Sequence, residues 1–64
     1  MTEQEVINKV NEYKSLITTF ETDRDNKISQ RDSYSVDSEE YENLSNEINE
    51  LEGKITATKM VIGL

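Results

Sequence analysis

Two series of positions in this chain are locked together by simple arithmetic. Val6 and Ile62, Val10 and Thr58, Tyr13 and Ile55, Ile17 and Leu51, Phe20 and Ile48, Arg24 and Leu44, and Lys27 and Tyr41 each sum to 68. Within each series the steps alternate between four and three residues. That is the spacing that keeps side chains on one face of a coiled-coil helix. A constant sum means that the two faces meet antiparallel when the chain folds back near residue 34. The pattern predicts an all-α fold, an antiparallel two-helix coiled-coil hairpin, with residues 1–64 forming a single domain.

Start signals define the two helices. Thr2 is placed as an N-cap with Glu5 three residues on, a capping box, and Met1 and Val6 stand where a hydrophobic staple belongs. The segment Val36-Asp37-Ser38-Glu39-Glu40-Tyr41 repeats the arrangement, with Asp37 as the cap, Glu40 at the third position and Val36 facing Tyr41. Acids in both first turns suit the positive end of the helix dipole. The first helix is predicted over about 3–32, the turn over about 33–36 and the second helix over about 38–61. The turn lacks Gly and Pro, so the first helix has a weak stop signal. A single unbroken helix is the competing reading, but it carries Arg31, Tyr34 and Ser38 into the seam and leaves the second capping box without a purpose.

Flanking residues add detail to this register. Lys14 is expected beside Glu52 as an opposite-charge pair, and Asp23 beside Glu47 as a repulsive one. Arg24, opposite Leu44, is expected to lay its stem on the leucine and point its guanidinium between Asp23 and Glu47. Gly53 falls on the outward face, where it weakens the helix with no evident packing reason.

Composition narrows the function classes. The chain contains no Cys and no His, which removes disulfides, thiolate metal sites and the commonest general base. No Ser stands beside a base, no Gly-rich phosphate loop is present, and a two-helix layer is too thin to enclose an ordinary ligand pocket. The expectation is a protein that is not an enzyme and carries no cofactor or metal. Asp23-Arg24-Asp25-Asn26-Lys27-Ile28 resembles the start of a calcium loop only superficially, because Lys27, Ile28 and Tyr34 occupy positions that need a ligand, a glycine and a bidentate glutamate. Asn43-Leu44-Ser45 matches a glycosylation triplet, but Leu44 belongs to the seam.

The net charge of −7 is unevenly distributed: residues 1–32 hold seven acids and five bases, while residues 33–64 hold seven acids and two bases, with all seven acids inside Asp37–Glu52. Such a balance argues against direct nucleic-acid binding, which calls for a basic stripe. No apolar run is long enough to span a bilayer, and the N-terminal residues lack the layout of a signal peptide. The expected setting is the cytoplasm, either of a cell or of a host cell if the protein is viral, in which case the virion is a second possibility.

Two surfaces emerge as candidates for function. Ile7, Leu16, Met60, Val61 and Leu64 widen the apolar face at the open end, where both termini meet. They are read as a contact patch for self-association into a four-helix bundle or for docking on another protein. Glu42, Glu47 and Glu50 lie off the seam and form the alternative, an acidic surface that mimics nucleic acid and blocks a basic groove of a host enzyme. Most of the other acids in that tract already serve as cap and dipole partners. In general composition (acidic, free of Cys and His, rich in Glu, Asn, Ser and Lys) the chain is similar to small accessory proteins of bacteriophages. That likeness implies a structural or assembly role and locates no residue.

Overall fold

The computed structural model describes residues 2–63. It is an antiparallel helical hairpin: α1 spans Glu3–Arg31 and α2 spans Glu39–Ile62, packed along each other in a rod of 52 × 15 × 13 Å. Helix α1 begins as expected, with the Glu5 amide donating to Thr2 Oγ1 at 3.2 Å. Met1, the outer half of the expected staple, lies outside the described residues.

The second helix start differs from the expectation by one residue. Ser38, not Asp37, is the N-cap: its hydroxyl accepts from the Tyr41 amide at 3.1 Å and donates to the Ser35 carbonyl at 2.6 Å. A carboxylate only accepts, so Asp37 cannot make both bonds, whereas a hydroxyl closes the turn and starts the helix at once. The shift places Glu39, Glu40 and Glu42 in the first turn. It also dissolves the expected staple, since Val36 is 73% exposed.

Residues 32–38 form the connection, longer than the four-residue turn expected. Helix α1 ends without a left-handed residue, by tightening into three-residue turns. The Ser33 amide and hydroxyl both donate to the Gln30 carbonyl, at 3.2 and 2.6 Å, and the Tyr34 amide donates to the Arg31 carbonyl at 3.0 Å. Helix α2 stops differently: Gly63 takes φ +78° and closes the last turn, a conformation that a residue with a Cβ rarely adopts.

The core follows the predicted seam. Ile17, Ile48, Leu51 and Ile55 are buried at 4–7% exposure, each stabilising the hairpin by about 1.5–3 kcal/mol relative to exposure. The other seam residues are half-buried, except Val6 at the open end, which is 47% exposed.

Contacts between long side chains run ahead of the register expected from the seam. Arg31 stacks over Tyr41 at 5.2 Å, Lys54 Nζ stands 5.9 Å from the Phe20 ring centre, and Lys27 Nζ lies 3.4 Å from Glu47 Oε2. Those pairs sum to 72, 74 and 74 rather than 68. The excess has a geometric cause. Each side chain leans toward the N-terminus of its own helix, and in an antiparallel pair the two leans point opposite ways. Head groups therefore meet when their positions sum to a few more than the backbone value.

This lean corrects two expectations. Arg24 does not reach between Asp23 and Glu47; it bonds its neighbour Asp25 at 3.2 Å, and Lys27 takes Glu47 instead. Lys14 and Glu52, which sum to 66, form no ion pair among the described residues because their heads lean apart. Gly53 is outward as expected, with nothing within 4 Å of where a Cβ would stand.

Candidate interaction surface

The hairpin presents two long flanks, one on each side of the seam. On the first, Lys27 meets Glu47 and Lys54 covers Phe20. Positions seven residues apart stay on one side of a helix. This flank therefore carries Lys9, Leu16 and Asp23 along α1, with Glu47, Lys54 and Val61 along α2.

Near the open end the first flank contains a hollow of about 320 Å³, lined by Val6, Lys9, Val10, Tyr13, Val61 and Ile62. Val6 and Ile62, an expected seam pair, share its wall. The hollow lies where short Val6 and Val10 stand in the seam, whereas Ile17 is buried further in. Lys9 pairs with Glu12 at 3.3 Å, both largely exposed, which draws its charge to the rim and leaves the stem against the wall. Their spacing assigns Val6, Val10, Tyr13 and Ile62 to the seam alone, and they line the hollow as well. The signal in the sequence is that valines take two successive seam positions, Val6 and Val10, at that end.

Among the described residues, the candidate apolar side chains do not form one patch. Leu16 (41% exposed) and Val61 (66%) share the first flank with the hollow. Ile7 is nine residues from Leu16, about two and a half helical turns, and so faces the second flank. Met60 is 75% exposed on the outer side of α2. Leu64 lies outside the described residues.

The acidic candidates are also divided. Glu42 and Glu50 are exposed on the outer side of α2, while Glu47 is tied to Lys27. Folding concentrates charge more sharply than the chain order does. Residues 18–50, the half of the rod that contains the connection, hold ten acids and three bases, whereas residues 1–17 and 51–64 together hold four of each. The entire net charge therefore sits in the turn-side half, and the open half is neutral.

Among the described residues no group of His, Cys, Asp or Glu side chains is arranged to hold a metal ion, and no helix is long and apolar enough to cross a membrane. Family models, curated proteins and solved structures contain no match to this chain.

Proposed function

We propose that this protein works by protein–protein interaction, as a small structural or assembly protein that docks a partner on the first flank of its open end. The supporting observation is the hollow lined by Val6, Val10, Tyr13 and exposed Val61, with exposed Leu16 further along the same flank, on the half of the rod that has no net charge. An apolar side chain laid in that open groove gains contact with its apolar walls, while the Lys9–Glu12 pair keeps its charges at the rim, in water. The setting that fits the composition is a viral or host-cell assembly pathway, with the partner another protein and not a nucleic acid.

The test is retention of a partner by variants of the intact chain. Leu16→Lys and Val61→Lys alter exposed positions, so circular dichroism should report an unchanged helix content. A partner that co-purifies with the wild type should be lost from both variants. Retention of that partner by a well-folded Leu16→Lys/Val61→Lys double variant would defeat the reading.

A further inference from the structure

The second flank carries a charge pattern that the hairpin itself leaves unanswered. Along α1, from the open end inward, the seven-residue series reads Ile7, Lys14, Glu21, Ile28. Along α2, in the same direction, it reads Lys59, Glu52, Ser45. Both helices thus run from base to acid in the same direction, and none of Lys14, Glu21, Glu52 and Lys59 forms an ion pair among the described residues. Glu21, Ile28, Ser45 and Lys59 are half-buried on this flank, and Ile7 is 45% exposed at its outer end.

We infer that the second flank binds a second copy of this chain, turned end for end. In that arrangement Lys14 of one copy meets Glu21 of the other and Ile7 meets Ile28, pairs that sum to 35. Lys59 meets Glu52 in the same way, a pair that sums to 111. The first series places a two-fold axis level with position 17.5 of α1, and the second places it level with 55.5 of α2. Those two levels sum to 73, within the range of 72 to 74 at which head groups meet inside the hairpin. Two independent pairings therefore specify one axis, as an isologous dimer requires. Allowing for the lean of both series, the axis falls within about three residues of the middle of each helix, so the two rods overlap along most of their length as an antiparallel four-helix bundle.

The distribution of net charge favours the same orientation. A parallel pair would stack two turn-side halves, each with ten acids and three bases, whereas the antiparallel pair sets each against the neutral half of the other. The first flank, with its hollow, stays uncovered.

The test exploits the pattern in sedimentation equilibrium at low salt. Lys14→Glu/Lys59→Glu leaves the stripe wholly acidic, and Glu21→Lys/Glu52→Lys leaves it wholly basic. Either variant alone should dimerise more weakly than the wild type by on the order of a hundredfold, because two-fold symmetry turns every attractive contact into a repulsive one twice. Mixed one to one, the two variants should form a heterodimer, and that rescue separates a broken interface from a broken fold. Spin labels on Val36→Cys, at the exposed turn, should lie about a rod length apart, given the 52 Å extent.

A monomeric wild type at millimolar concentration, a dimer indifferent to both variants, a mixture that does not pair, or labels within about 25 Å of each other would each overturn the inference. None of these outcomes touches the docking role of the first flank, because Leu16→Lys and Val61→Lys should leave the dimer intact.

Discussion

Lys27 Nζ approaches Glu47 Oε2 to 3.4 Å across the hairpin, although their positions sum to 74, six more than the seam pairs expected from the spacing of apolar residues. The contact exists because both side chains lean toward the N-terminus of their own helix. Its energetic weight is small. Glu47 is half-exposed, so solvent screens the pair, and a double-mutant cycle with Lys27→Ala and Glu47→Ala should return a coupling of about 0.2–1 kcal/mol in dilute buffer. The coupling should largely vanish near 1 M salt, where the screening length is about 3 Å. By contrast, Ile48→Ala, at a site 4% exposed, should cost about 2–5 kcal/mol in chemical denaturation at any salt concentration. A coupling as large as the Ile48 loss would show that the seam is held by charge.

The position of the second cap separates two neighbouring residues. Ser38→Ala removes the oxygen that accepts from the Tyr41 amide and should destabilise the hairpin by about 0.5–2 kcal/mol. Asp37→Ala removes no side-chain bond seen in the structure and should stay within about 0.5 kcal/mol of the wild type. Thermal melts of the two variants decide between these caps, and a larger loss for Asp37→Ala would return the helix start to the position first read from sequence.

That one-residue shift marks the limit of what the sequence displays. The seam was legible because burial of Ile17, Ile48, Leu51 and Ile55 depends on the period of apolar residues, which is written along the whole chain. The cap was not, because Asp37 and Ser38 are both good N-cap residues, and the choice rests on whether Ser35 is near enough to receive a second bond. The ion pairs were misread for a related reason. Backbone register predicts which Cα atoms stand level, whereas Lys27 and Glu47 meet through heads displaced along the axis. The apolar patch came apart because Ile7 and Leu16 were grouped by their nearness to the open end, and position around the helix, not along it, decides which flank a residue joins.

The two glycines should respond in opposite directions. Gly53 lies within α2 with open space around its Cα, so Gly53→Ala should stabilise the protein by up to about 1 kcal/mol through higher helix propensity. Gly63 holds φ +78° at the helix end, and Gly63→Ala should lower stability by about 1 kcal/mol because alanine is strained there. Melting temperatures compared at one protein concentration provide the check. A destabilising Gly53→Ala would mean that something covers that face.

The sharpest separation between the proposed function and its acidic alternative comes from salt. All the net charge lies in the turn-side half, and attraction of that half to a basic surface acts over roughly 8–10 Å at physiological ionic strength. A partner held by mimicry of nucleic acid should therefore be released between low and moderate salt, and charge reversals at Glu42, Glu47 and Glu50 should abolish its binding while the helices stay intact. Docking in the hollow predicts the reverse. Burial of an apolar side chain against Val10, Tyr13 and Val61 is not weakened by ordinary salt and is strengthened by excluded salts such as sulfate. Affinity should hold to within a few-fold across that salt range, ignore reversals at Glu42 and Glu50, and fall at least about tenfold in Leu16→Lys or Val61→Lys, since each places a charge beside an apolar contact. Titration calorimetry over a salt series measures both arms. Steep salt release combined with indifference to Leu16→Lys and Val61→Lys would assign function to the acidic half, leaving the hollow as unfilled space between short side chains.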